Sequence, residues 1–174
     1  MLRPHVPITT ERLMLRPFTF NDAETVFRWH RNPDVTRYTG GQQNREQSFV
    51  SLARWIHRFH TQGWGPLAVQ AQGMAQPMGW CGLQPLPATR DFELFYGYAT
   101  EGWGQGYATE AARALLRVGF MALPVDRIVA RVQAENLASQ HVVTKLGMRK
   151  LPPVFNDIYG GMVDFFALAQ GQQP

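Results

Sequence analysis

Cysteine is nearly missing from this chain. Cys81 stands alone in 174 residues, so no internal disulfide can form and packing must hold the fold. That suits a reducing compartment. Long apolar runs are missing too: none approaches the ~18 residues that a membrane span needs. The opening MLRPHVPITTERLML has no apolar h-region of the kind a signal peptide carries. A cytoplasmic protein without a membrane partner is the expectation. Lysine is scarce. The net charge is +4 and the pI is about 9.6, but 15 of the 17 basic residues are arginine. They are scattered, with no dense basic run and no basic stripe interleaved with aromatics, so a nucleic-acid partner is not expected. Low-complexity tracts and internal repeats are also lacking. Length and a 45% hydrophobic content suit one domain, residues 1–174, around a single core.

What is present alternates between strand-like and helix-like stretches. ERLMLRPF (11–18) reads as a first strand. TFNDAETVFRWH (19–30) reads as a helix capped by Asn21 or Asp22. Residues 31–44, with Pro33, Gly40 and Gly41, read as a loop. Residues 45–60 place Phe49, Leu52, Ala53, Ile56 and Phe59 on one helical face. PLAVQA (66–71), PMGWCGLQP (77–85) and RDFELFYGYAT (90–100) form a meander of strands. A helix over about 105–121 carries Ala108, Ala111, Ala112, Leu115, Leu116 and Gly119 along its buried stripe, with Arg113 and Arg117 facing away. DRIVARVQ (126–133) is a strand. LASQHVVTKLG (137–147) is a short helix closed by Gly147 at C′, and VDFFALA (163–169) is a last strand. The order β-α-α-β-β-β-α-β-α-β embeds one strand–helix–strand unit in an antiparallel series, which indicates an α+β fold.

Glycines stand at 102, 104 and 106, at the mouth of the best helix. The first amides of a helix lack internal partners and sit at the positive end of its dipole, so an anion is the natural ligand there. The nucleotide-triphosphate loop G-x-x-x-x-G-K-[ST] is absent. A dinucleotide fingerprint would need Gly or Ala at 109, where Thr109 stands, and it follows a βαβ start rather than a meander. The plain alternative is a tight strand-to-helix corner.

GWGQGYATEA (102–111), followed by DRIVARVQAENLASQHVVTKLGM (126–148), resembles the GCN5-related N-acetyltransferases (GNAT). More narrowly, it is similar to the RimJ/RimL-type branch that acetylates ribosomal-protein N-termini. Trp103, Gly104, Gln105, Gly106, Tyr107 and Ala108 align with the family's pyrophosphate loop, Trp103 departing from the usual Arg or Gln. Glu135, Asn136, Ser139, Val142, Lys145, Leu146, Gly147 and Met148 match a second motif. TTERLMLRPFTFNDAETVFRWHRNPDV resembles the branch's opening, so the likeness covers nearly the whole chain. It implies a mostly antiparallel mixed sheet of about six or seven strands, splayed near its middle, with about four helices.

The resemblance also implies chemistry: acetyl-CoA as donor, a primary amine (a protein N-terminus or a small molecule) as acceptor, and no metal. Pyrophosphate would sit on the amides from Gly104 to Thr109. The strand before the loop would be bulged and would splay from DRIVARV. Backbone near Tyr98 and Ala99 would hold the pantetheine, and one such N–H could polarise the thioester carbonyl. Ser139 would help the departing thiolate or merely cap its helix. Asn136 would hold pantetheine or water, or cap the same helix, and Lys145 would contact coenzyme A. Tyr98 is the alternative proton donor. Tyr96 and Tyr98 share a strand face, where they line the cleft or fill the core. Glu93 is the candidate base and acceptor contact, or a strand-edge charge; Glu110 is a weaker base. Loop 31–44 and helix 45–60 would wall the acceptor site, with Arg37, Tyr38 and Arg45 facing an acidic peptide. His57 and His60 read as a solvated face rather than a metal pair, and Cys81 reads as packing. A non-catalytic acyl-CoA-binding or regulatory module, a larger acyl donor and a homodimer remain open.

Overall fold

Leu13 and Leu15 are fully buried and alternate with half-buried Met14 and Arg16, the period-two pattern of a strand with one face on the core. In a computed structural model, which describes residues 3–87, 89–157 and 160–172, this strand belongs to an eight-stranded sheet. The strands are β1 (Ile8–Thr9), β2 (Leu13–Pro17), β3 (Pro66–Ala71), β4 (Gly79–Pro85), β5 (Phe92–Tyr98), β6 (Arg127–Val132), β7 (Arg149–Asn156) and β8 (Gly161–Ala169). Their spatial order is β1-β2-β3-β4-β5-β6-β8-β7. Every neighbouring pair is antiparallel except β5–β6. A parallel pair needs a crossover, and helix α4 (Tyr107–Ala122) supplies it. The remaining helices are α1 (Ala23–Arg31), α2 (Pro33–Thr36), α3 (Arg45–Gln62) and α5 (Leu137–Lys145).

The α+β architecture follows the sequence expectation, but its eight strands and five helices exceed the six or seven and about four expected: β1, β7 and α2 are the additions, and one helix face differs. Strand β7 reads poorly from sequence because Pro152 and Pro153 argue against a ladder. As an edge strand it tolerates them, pairing only with β8 through a register shift between Leu151 and Val154. Loop 31–44 contains the single turn α2, started by Asn32, whose side chain accepts the Asp34 N–H at 3.0 Å, and by Pro33 in the first turn. On α3, Phe49 is exposed and stacks on Phe20, so the buried stripe runs through Ser48 and Leu52 instead. The cap assignments divide likewise. Asn44 and Gln47 form a reciprocal capping box on α3. Asp22 precedes α1, yet its carboxylate serves Thr19 N–H and Arg16 rather than the helix.

Two cores flank the sheet. On one face, α4 packs Ala111, Ala112, Leu115, Leu116 and Phe120 with Leu83, Leu94 and Ile128. On the other, α1 and α3 bring Val26, Trp29 and Leu52 onto Phe18, Ala68 and Trp80. The decisive feature for a site lies between β5 and β6. They pair only at Phe92–Ile128 and Glu93–Val129, while β5 continues to Tyr98. The sheet is splayed there as expected. The expected bulge is not found: β4 and β5 keep an unbroken register from Gly79–Tyr98 to Pro85–Phe92.

Candidate active site

The splay opens a cavity of about 460 Å³, lined by Tyr96, Gly97 and Tyr98, by the 102–109 loop and by one face of α5. At its mouth Gly104 and Gly106 have φ of 73° and 78°. An added Cβ at Gly104 would meet nothing within 4 Å, and at Gly106 only an Arg12 nitrogen at 3.6 Å. The glycines are thus required by left-handed backbone rather than by crowding. Gly106 is the residue before α4, and no side chain caps that end. The first-turn amides therefore face the cavity mouth with no intrahelical acceptor. Gly102 lacks positive φ and is a different case: its Cβ would sit in ordinary contact with Met78 and Tyr98.

Strand geometry decides which backbone groups point into the splay. Ala99 N–H donates to the Met78 carbonyl at 2.8 Å. In an antiparallel ladder hydrogen-bonded pairs alternate, so residues 93, 95, 97 and 99 turn toward β4. Leu94, Tyr96 and Tyr98 turn the other way, toward the gap left by β6. Ala99 therefore drops out as a source of amides for a ligand; its carbonyl is also taken, by Gly102 N–H. Tyr98 N–H remains aimed into the cleft, while its carbonyl accepts from Trp103 Nε1 at 2.8 Å. Gln105 is also turned away, its carbonyl accepting from Arg12. Trp103, Gly104, Gly106, Tyr107, Ala108, Thr109, Asn136, Ser139 and Lys145 all line the cavity.

The two tyrosines of β5 separate in role. Tyr98 is buried in the core, its hydroxyl donating to the Tyr107 carbonyl at 3.4 Å. The ring packs beneath the loop and does not reach Ser139. Tyr96 does: its hydroxyl lies 2.8 Å from Ser139 Oγ and 3.2 Å from the Ser139 carbonyl oxygen. Burial pushes the Tyr96 phenol well above its ordinary pKa, with the Ser139 hydrogen bond opposing, so it stays protonated. Period two places both rings on one face; only the docking of α5 chooses between them. Asn136 caps α5, its Oδ1 accepting Ser139 N–H at 3.1 Å, which fixes Ser139 in the first turn.

A second cavity of about 360 Å³ shares Tyr38, Thr39, Tyr96, Asn136 and Ser139 with the first. Residues from loop 31–44 and α3, Trp55 among them, form its wall, joined by His30 and Trp80. Tyr38 bridges the entrance, its hydroxyl donating to the Glu135 carbonyl at 3.2 Å. Glu93 lies here, buried on a central strand, so it is no strand-edge charge. Both its oxygens are engaged by Arg131, at 2.7 and 2.9 Å, and Oε2 also accepts from Gln84. Nothing in the sequence announced Arg131 as its partner. His30, beneath the wall, bonds Ser48 Oγ at 2.8 Å, and burial lowers its pKa to about 4. Arg37 lines the first cavity. Arg45 points elsewhere, paired with Glu24.

Glu110 is held away from both cavities' meeting point. Burial raises its pKa, but hydrogen bonds from Thr10 and from the Arg12 side chain and backbone outweigh this and leave it below the ordinary carboxylate range. Arg12 also lies over the Tyr107 ring, tying β2 to the glycine loop. His57 and His60 are exposed, and Cys81 is buried with its thiol pKa pushed up by burial. Among the described residues no group of three or more His, Cys, Asp or Glu is gathered, and no helix is long and apolar enough to cross a membrane.

Residues 12–149 match the model of the acetyltransferase (GNAT) domain. The chain belongs to the GNAT acetyltransferase family. It is an acyltransferase, with acetyl-CoA as donor. It is 30% identical over 146 residues to the uncharacterised N-acetyltransferase YoaA of Bacillus subtilis, covering 82% of each chain. A GNAT-family acetyltransferase structure from Bacillus anthracis superposes with a TM-score of 0.81 at 26% identity, over 93% of this chain and 97% of that one. RimJ of Mycobacterium smegmatis, in complex with CoA-disulfide, gives 0.78 at 21% identity over 99% and 92%; that likeness is one of fold.

Proposed function

We propose that this acetyltransferase works as one domain and moves the acetyl group directly from acetyl-CoA to a primary amine, in a ternary complex whose two substrates occupy the two cavities. The observation that carries this reading is the meeting of the two cavities at the Tyr96–Ser139 pair. In the balanced reaction the amine nitrogen bonds the acetyl carbon and the carbon–sulfur bond breaks. The amine gives up one proton, and the leaving sulfur gains one.

The chain's residues have defined work. The α4 first-turn amides and the backbone of Gly104 and Gly106 would hold pyrophosphate, with Lys145 at the same mouth. Tyr96 and Tyr98 backbone groups would pair with the pantetheine arm as an added strand does, and Tyr98 N–H faces the region where the thioester carbonyl would lie. Ser139, backed by the protonated Tyr96 hydroxyl, would donate to the departing sulfur. This moves the proton-donor role from Tyr98 to Tyr96. Glu93 is also reassigned. A carboxylate saturated by Arg131 and Gln84 is a poor base, so its role is to balance the charge of the acceptor cavity, and the amine reacts from its neutral form. Tyr38 and Arg37 would order the rim.

The first test is thermal. Acetyl-CoA should raise the melting temperature, since binding only the native state stabilises by about 2.7 kcal/mol at a hundredfold excess over Kd, while inorganic phosphate at the same concentration should do far less. Release of free thiol with an amine present then separates an enzyme from a binding module. No thermal shift with acetyl-CoA or CoA would sink the reading.

A further inference from the structure

We infer that the acceptor cavity selects a small monoamine with a flat, hydrogen-bonding body and rejects polycationic amines; this rests on the acetyltransferase reading above. The first observation is charge. Among the described residues lining the cavity, the only carboxylate is Glu93 and the only full cation is Arg131, and they are joined by a bidentate ion pair. Their charges cancel. His30, with a pKa near 4, adds none at neutral pH. Tyr38 and Tyr96 are phenols. Arg58, reaching in from α3, hydrogen-bonds Gln84, the same side chain that serves Glu93. Around the rim of the first cavity and beside Asn136 the exposed charges balance in sign, Asp34 and Glu135 against Arg37 and Lys145.

A polycation needs several acidic partners to offset the loss of hydration of each ammonium. This cavity offers none that is not already paired. A monoamine can shed its single proton at the entrance and leave no charge to compensate. The second observation is shape. Trp55 and Trp80 stand with ring centroids 5.6 Å apart, and Trp80 is locked in turn against Trp29 at 5.7 Å. This makes a rigid aromatic wall for a planar group. Gln43, Gln133 and Asn156 bring amide groups around it. The volume, about 360 Å³, is at the small end of the roughly 300–1,000 Å³ of ligand pockets.

The test is thiol release from saturating acetyl-CoA with four probes: benzylamine, phenylalanine amide, spermidine and kanamycin. The expected result is that kcat/KM for either monoamine exceeds that for spermidine and kanamycin by about tenfold or more, the ratio for roughly 1.4 kcal/mol of discrimination. Arg131→Gln leaves Glu93 uncompensated and should shift the ratio toward spermidine by a similar factor. If Arg131→Gln does not fold, Gln133→Glu adds a carboxylate without touching the ion pair and should shift it the same way. Spermidine or kanamycin outperforming both monoamines on the parental protein would overturn the inference. So would a ratio that neither folded variant moves. Silence with every amine, while calorimetry still shows CoA binding, would instead overturn transfer itself and take this inference with it.

Discussion

The two sides of the site that we assign to donor and acceptor are built from different materials. The donor side is mostly backbone: amides at the start of α4, two left-handed glycines, and the unpaired edge of β5 beyond Glu93. The acceptor side is mostly side chains, drawn from α1, loop 31–44, α3, β4, β5, β6, α5 and β7. Backbone sites depend on a local conformation that a short motif encodes. Side-chain sites depend on which distant residues the fold brings together. One surface can therefore stay constant while the other is rebuilt, and substrate identity lives in the rebuilt one.

The sharpest way to probe this division is at the seam. Tyr96→Phe or Ser139→Ala should lower kcat by about 10²–10⁴-fold if they protonate the leaving sulfur, with a smaller change in KM for acetyl-CoA. Tyr98→Phe should leave kcat near the parental value. Equal effects of Tyr96→Phe and Tyr98→Phe would erase the distinction drawn between the two rings.

The acceptor wall carries its own pH signature. Buried His30 has a folded pKa near 4 against an ordinary 6.5, so the unfolded chain binds the proton first as pH falls. Stability is fully present above about 6.5 and is lost as pH drops toward 4, by on the order of 3 kcal/mol. Urea denaturation on either side of that window should show His30→Gln with a flatter slope. An unchanged slope would place the acid sensitivity elsewhere.

On the donor side, Gly106→Val must adopt positive φ at a cost of roughly 1–3 kcal/mol. We expect a folded protein whose CoA affinity falls by about ten- to a hundredfold, whereas Gly102→Ala should bind like the parent. Calorimetric titration on variants with verified melting curves decides it; a folded Gly106→Val of parental affinity would reduce the loop to a plain corner.

The smallest effect should come from Arg12, which braces the loop through Gln105, Tyr107 and Glu110. Arg12 is exposed and Glu110 only partly so, and such a pair is worth up to about 1 kcal/mol. Arg12→Gln should raise KM for acetyl-CoA a few-fold at unchanged kcat, and Arg12→Lys should recover part of it. A drop in kcat instead would mean that the brace reaches the reacting atoms.

Sequence alone made the glycine loop of this protein legible, along with most of its strands and helices. The periods of two and 3.6, the capping residue Asn136, and glycines 104 and 106 are local signals, and they placed six of the strands, four of the helices and the glycine loop. Sequence could not tell Tyr96 from Tyr98, because alternation gives them the same face and only the docking of α5 brings one hydroxyl to Ser139. Nor could it pair Glu93 with Arg131, or set His30 beneath Trp55. Those groups lie 25 to 38 residues apart and meet only in the tertiary fold, one pair between β5 and β6 and the other between α1 and α3, where burial and charge balance, rather than spacing, decide what each can do.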